Sequence, residues 1–279
     1  MRLFIFFSAY FCLIPLTNAE EINLTFGVYT SDRPVVLVKK HRPTLAYLEK
    51  KITEFSGSST KIKIHVSKTY ETGMNDLLTG KVDFARFGPA SYVTAKRLNP
   101  DIELLAIEEI KGNRHFNGVI VTRANGEIDN IHSLNQRRFA FGNSNSTIGR
   151  YLAQAYLAEN KIFSTNLAGW AYHDRHDQVA YAVSQGEYDA GSLKEKTYLR
   201  LKADGLPLKI LTTFENITKP WVARPGLDQH MLSLIKQAMF SSTTDGSWPV
   251  KNKFKLVEVN DSEYDPIRQA MEASKQFHK

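Results

Sequence analysis

The amino-acid sequence predicts an α/β protein whose sheets are parallel, doubly wound and covered by helices. Short apolar strands alternate with stretches of helical periodicity along the chain, the pattern of repeated βα units. With an N-terminal leader set aside, about 260 residues remain, enough for two domains of ordinary size. An apolar fraction of 42% suits a globular core.

Residues 24–29 read as a strand, and Ile62, Ile64 and Val66 alternate as one face of another. Between them Pro43 suits a first helical residue, with Leu45, Leu48, Ile52 and Phe55 recurring at helical spacing. Thr69 is placed to cap a helix carrying Met74, Leu77 and Leu78, which Gly80 closes. A strand over 82–87 and a helix over 90–98 come next. Further on, a strand over 139–142 leads into a helix over 147–158. Val179, Ala182 and Val183 mark a helix that ends at Gly186, ahead of a strand over 188–193. Asp265-Pro266 reads as an N-cap followed by proline at the first helical position.

One junction occurs twice. Gly80-Lys81-Val82-Asp83 is echoed by Gly186-Glu187-Tyr188-Asp189, in each case a helix end, a glycine stop and a strand with an early aspartate. Two similar lobes produce such an echo, and so do two ordinary helix-to-strand turns.

Composition narrows the compartment and the chemistry. Arg2 precedes an almost wholly apolar run over 3–16, and Ala19 offers a small residue before Glu20 and Glu21. This reads as a secretory leader over 1–19, cut after Ala19, too short to span a bilayer. Cys12 is the only cysteine and lies in that leader. The mature chain then has no disulfide, thiolate metal site or cysteine nucleophile, which for a secreted chain of this size points to a bacterial periplasm. Cleavage takes Arg2 and no acid, so the formal charge of +7 falls by one. The basic residues are spread along the chain without a nucleic-acid-binding signature, leaving an anionic ligand or a solvated basic face.

Three stretches carry candidate chemistry. Residues 141–150 form a hydroxyl-rich loop between a strand and a helix, with Asn145, Ser146, Thr147 and Ile148 at the helix start. Unpaired first-turn amides and the helix dipole suit a tetrahedral oxyanion there, although Ser and Thr are also ordinary caps. The loop lacks the glycine spacing and lysine of a P-loop. His173 and His176 stand three apart without an evident third metal ligand, so no metal site is expected; His176 remains a possible anion donor or helix cap. In the Phe87-Gly88-Pro89 turn, Ser91 and Tyr92 are placed to donate hydrogen bonds at a ligand-facing strand end. No nucleophile elbow, zinc-protease motif or dinucleotide fingerprint is present, so no enzyme is expected.

Taken in order, these stretches resemble the phosphate/phosphite/phosphonate substrate-binding family of ABC transporters. The resemblance runs from about Leu24 to near Met271. Its carriers are Phe26-Gly27-Val28, residues 43–49, Tyr70, residues 80–83, the 87–92 turn, residues 145–149, His176 and residues 186–191. It implies the two-lobed type II periplasmic-binding fold, each lobe a mostly parallel sheet flanked by helices. Lobe 1 would comprise 20–117 and 216–279, and lobe 2 would comprise 118–215. Ser146 and Thr147 with the helix-start amides would hold the oxyanion, His176 would close the cage, and Tyr70 would contribute from lobe 1.

Three departures from the family pattern bear on the ligand. Ile148 replaces a serine and so removes a hydroxyl. Phe116 aligns with a pocket tyrosine. Lys219 stands where aminophosphonate binders carry an acid, which disfavours a cationic tail and favours a wholly anionic ligand. Asp83 reads as structural and Asp189 as a site candidate. The resemblance implies a monomeric periplasmic binding protein without cofactor or nucleic acid, handing a small oxyanion to an ABC permease in the inner membrane. The alternatives are a sensory binding protein for sulfonate, selenate or tetrathionate that signals to a kinase, and a periplasmic phosphoryl hydrolase.

Overall fold

The computed structural model describes residues 20–29, 34–249 and 254–279; the leader over 1–19, with Cys12, lies outside them. The first lobe opens with β1 (Ile22–Tyr29), α1 (Pro34–Ser56), β2 (Thr60–Ser67), α2 (Tyr70–Leu78), β3 (Phe84–Arg86), α3 (Pro89–Leu98) and β4 (Glu103–Glu109). The second contains β5 (His115–Arg123), β6 (Arg138–Phe141), α4 (Ala153–Glu159), β7 (Gly169–Tyr172), α5 (His176–Ser184), β8 (Ala190–Lys194), α6 (Glu195–Ala203) and β9 (Leu208–Ile217). The chain then returns through β10 (Pro220–Ala223), α7 (Gln229–Phe240), β11 (Lys255–Val257) and α8 (Asp265–Ala273).

Two sheets result, ordered β11-β4-β10-β3-β1-β2 and β7-β6-β8-β5-β9. The βα half of each is parallel: β1 pairs with β2 and β3, and β6 with β7 and β8. The other half is antiparallel, because β5, β9 and β10 enter or leave at the crossing between lobes and run against their neighbours. The expectation of mostly parallel sheets therefore holds for the βα halves, and each sheet as a whole is mixed.

Alternation along the strands divides each core in two. Leu24, Phe26 and Val28 pack with Leu45, Leu48 and Ile52 on one face of the first sheet, while Ala85, Met74, Leu77 and Tyr92 pack on the other. In the second sheet Ile120 faces Phe139 and Phe141, and Val119 and Val121 face Val179 and Val183. Among the described residues, no helix is long and apolar enough to cross a membrane.

Local signals account for most boundaries. Thr69 caps α2 by accepting from Thr72 N at 3.0 Å, and Gly80 follows with φ +76°. Pro43 is interior to α1, which begins at Pro34 rather than at Pro43. The predicted 82–87 strand shortens to β3, since Val82 N still reaches back to Asp76 O at 3.1 Å to complete the turn.

The two sheets are joined by residues 110–114 and by Thr218-Lys219, tied together where Thr218 N donates to Arg114 O at 2.7 Å. The last segment, assigned from sequence to the first lobe throughout, packs against both. α8 puts Ile267 and Met271 into the first lobe, whereas Phe277 is fully buried against Phe141 and Trp170 of the second.

Candidate functional site

The parallel strands of both lobes point their carboxyl ends at one cleft, where open α/β sheets bind ligands. There Tyr70, Gly88, Ser146, Thr147, Ile148, His176, Lys194, Asn216 and Lys219 enclose a void of about 10 Å³, room for one water. A tetrahedral oxyanion is larger. Its admission requires the lobes to part slightly or the flexible lysine side chains to swing aside.

The hydroxyl loop is fixed from behind. Gly142 and Gly149 lie back to back: a Cβ on Gly142 would stand 2.8 Å from Gly149 Cα. Gly142 N donates to Gly149 O at 2.7 Å, and Ser192 Oγ donates to the same carbonyl at 2.9 Å. The helix then starts as a π-helical turn over Thr147–Leu152, with Tyr151 N reaching Ser146 O at 3.2 Å, before continuing as α4. Such turns recur at functional sites.

Both hydroxyls are buried and oriented. Ser146 Oγ accepts from Gly149 N at 3.0 Å, and Thr147 Oγ1 accepts from Ala90 N of the other lobe at 3.0 Å. With an acceptor position of each oxygen filled by a backbone amide, its proton is left to donate. The Thr147–Ala90 bond, together with Asn145 Nδ2 donating to Glu71 Oε1, holds the lobes closed.

Further polar groups meet at the same point. His176 Nδ1 and both side-chain polar atoms of Asn216 are buried without a hydrogen-bond partner. Burial first, then Lys194 and Lys219, keeps His176 neutral, well below its usual range. Lys219 is partly exposed as a residue and lines the enclosed void. Burial, then Lys194 and Arg86, pushes its ammonium well below the ordinary lysine range. Beneath it, Arg86 pairs with Glu108 through bonds of 2.5 and 2.8 Å. Burial works against the charge on Glu108, yet Arg86 holds the carboxyl down at about 2.

Tyr70, Ser146, Thr147, Ile148, His176 and Lys219 are thus brought together as the sequence reading placed them. Four candidates stand elsewhere. Ser91 shares a hydrogen bond of 2.9 Å with Tyr29 Oη, which accepts from Gly88 N, so Ser91 sets the turn from behind the pocket. Tyr92 points into the first lobe, donating to Asp261 Oδ1 at 2.5 Å beside Tyr264. Phe116 pairs in the sheet opposite Asn216 without lining the void. Asp189 sits at the far end of its strand, where its carboxylate accepts from Arg138 N at 2.8 Å. Asn145 acts at the rim through Glu71.

Lys194 and Asn216 were missed, because each lies at or beside the end of a strand that reaches the pocket only through the order β8-β5-β9. His173 turns to Tyr188, with ring centroids 5.2 Å apart. Among the described residues, no three of His, Cys, Asp and Glu are grouped to hold a metal ion.

Residues 26–268 match the family of periplasmic substrate-binding proteins of phosphonate ABC transporters. A curated relative, a probable ABC transporter phosphite binding protein of Prochlorococcus marinus, is 28% identical over 196 residues, or 63% of this chain. The match spans 65% of that relative's length. A structure from the same organism in complex with methylphosphonate superposes with a TM-score of 0.77 at 20% identity, covering 91% of this chain and 98% of that one. A binding-protein component of a Pseudomonas aeruginosa phosphonate transporter gives 0.75 at 18% identity, covering 92% and 87%.

Proposed function

The chain belongs to the periplasmic substrate-binding proteins of phosphonate ABC transporters, and on that premise we propose that it captures a small phosphorus oxyanion in the interlobe cleft for delivery to a permease. The observation that carries the reading is the pair of buried hydroxyls, Ser146 and Thr147, each with an acceptor position filled by a backbone amide and a proton left to donate. They stand beside the unpartnered His176 and Asn216. Leaving buried polar groups unmatched costs about 1–3 kcal/mol each, so a ligand that completes them stabilises the closed form. The oxyanion is phosphonate, phosphite or phosphate, bound in the periplasm by a monomer without turnover. Tyr70 and Ile148 shape the wall on either side.

The test is thermal unfolding of the mature protein against phosphate, phosphite, methylphosphonate, 2-aminoethylphosphonate, sulfate and selenate. A ligand that binds only the folded state adds about 2.7 kcal/mol at a hundredfold excess over its dissociation constant. A rise in midpoint with a phosphorus oxyanion, lost when Ser146 and Thr147 are both alanine, is the expected result. No rise with any of them removes the proposal.

A further inference from the structure

Asn216 is only 2% exposed, yet its side-chain Oδ1 and Nδ2 are both buried without a hydrogen-bond partner. Because neither end of the amide is bonded, exchanging oxygen and nitrogen leaves the requirement unchanged. The group needs one partner that donates and one that accepts. Asn216 stands near the end of β9, opposite Phe116, and lines the same void as Ser146, Thr147 and His176. All four belong to the second lobe, so parting of the lobes to admit a ligand leaves their mutual placement intact.

The void is otherwise rich in donors. Ser146 and Thr147 each have an acceptor position filled by a backbone amide and a proton left to give. Lys194 and Lys219 line the void too, and neither bonds to Asn216. None of the described residues around it is an aspartate or glutamate. His176, neutral in this setting, offers a donor or an acceptor at Nδ1 according to its tautomer. The amide oxygen of Asn216 is an acceptor in every case.

A fully deprotonated oxyanion supplies acceptors alone. It matches the hydroxyls and Nδ2 but leaves Oδ1 of Asn216 buried and unmatched, which weakens binding. A phosphorus oxyanion that keeps one P–OH supplies both kinds of partner. Its unprotonated oxygens accept from the hydroxyls and Nδ2, and its own hydroxyl donates to Oδ1. We infer that Asn216 reads a proton on the ligand, so that the site takes phosphorus oxyanions bearing a P–OH and discriminates against tetrahedral anions that carry none, such as alkylsulfonates. The selection is by hydrogen bonding and not by net charge. The methylphosphonate monoanion and methanesulfonate have the same charge and nearly the same shape, and differ by one O–H. A site built to hydrogen-bond a ligand hydroxyl rejects the analogue lacking it far more strongly than an apolar pocket rejects a missing methylene. The inference rests on the oxyanion-capture reading above and names the form of ligand that site takes.

Below the second ionisation of methylphosphonate both ligands are monoanions, and titration calorimetry of the intact mature protein compares them there. Methylphosphonate is expected to bind more tightly than methanesulfonate by about 30-fold or more. Asn216→Leu, which removes the acceptor at similar volume, should narrow that ratio by about tenfold or more. Ser146→Ala, which removes a donor common to both ligands, should weaken both and keep the ratio. Asn216→Ala replaces the leucine variant if that fails to fold, and the wild-type ratio stands as a test without either. Similar affinity for both ligands in the wild type, or an unchanged ratio in the Asn216 variant, overturns proton recognition by Asn216 while leaving oxyanion capture intact. Binding of neither these ligands nor phosphate or phosphite overturns both.

Discussion

Asp83 stands before β3 in the first lobe and Asp189 before β8 in the second, and their surroundings nearly superimpose in chemistry. Each follows a glycine of positive φ, Gly80 at +76° and Gly186 at +81°. Each donates its amide to a carbonyl of the neighbouring parallel strand, Asp83 to Thr25 and Asp189 to Arg138, both at 2.9 Å. Each carboxylate accepts the returning amide at 2.8 Å. At the other ends of the sheets the lobes diverge. The second supplies the hydroxyls of Ser146 and Thr147, while the first supplies a turn whose amides at Gly88 and Ala90 donate to Tyr29 and Thr147. The shared ends set strand register; the divergent ends make the site, as expected when function is grafted onto a fold.

The largest effect should come from the end where the lobes differ. Replacing both Ser146 and Thr147 by alanine removes two donors to a charged ligand, each worth about 1.5–3 kcal/mol. Affinity for the cognate oxyanion should fall at least about 100-fold by calorimetry. Stability without ligand should fall by about 1 kcal/mol for the lost Ser146 cap and by about 1–3 kcal/mol more for the buried Ala90 amide that Thr147 leaves unmatched. Retained affinity would remove the distinction between the two ends.

Acid should act next, on buried His176 of the second lobe as well as on Glu108 and His41 of the first. Glu108 has a folded pKa of about 2, below the ordinary 4.5, because the charge of Arg86 outweighs the penalty of burial. Its stabilisation is therefore complete above the ordinary value and lost as pH falls from about 4.5 towards 2. His41, held neutral down to about 3 chiefly by burial, works in the same direction. The unfolded chain protonates this histidine from its ordinary 6.5 downward, so stability declines as pH falls through that range. Denaturant midpoints measured from neutral pH downward should fall in two stages. Glu108→Gln should flatten the lower one.

Much of this was legible before any coordinates. Thr69, Gly80 and Gly186 declare helix ends through local chemistry, and the repeated aspartates mark two equivalent junctions. The hydroxyl loop announced itself because a strand, a polar run and a helix follow one another directly. Residues whose role depends on strand order or helix phase stayed hidden. Lys194 and Asn216 are far apart in sequence and meet only because β5 lies between β8 and β9. Ser91 and Tyr92 sit beside the correct turn, but the phase of α3 sends one to Tyr29 and the other to Asp261. Asp189 resembled a site residue only while its distance from the cleft was unknown.

The repeated junctions themselves should be sensitive to aspartate loss without touching the ligand. Asp83→Ala and Asp189→Ala each strip a carboxylate from a strand-start amide, and about 1–3 kcal/mol of stability should go with it. The loss should be greater at Asp83, whose carboxylate also meets Arg224 Nε at 3.1 Å, than at Asp189, where the arginines stand at 3.6 and 4.0 Å. Urea unfolding measures the difference. A fall in ligand affinity in either variant would mean that the strand starts are coupled to the cleft.

The smallest effect belongs to the first lobe's own cleft end. Gly88 has φ −74° and ψ 152°, a conformation alanine adopts freely, so Gly88→Ala should leave the backbone unstrained. Its new methyl would instead meet Tyr29 Oη at 3.0 Å and touch Lys219 Nζ at 3.4 Å and Thr147 Oγ1 at 3.5 Å. The buried tyrosine must give by a few tenths of an ångström, whereas the lysine and the threonine lie at ordinary contact distances. The expected outcome is a loss of affinity of about tenfold or less with a thermal midpoint close to the parent's. A loss as large as that of the paired hydroxyl variant would mean that the first lobe's turn contributes to holding the anion as strongly as the second lobe's loop, and that the lobes differ in residue type more than in role.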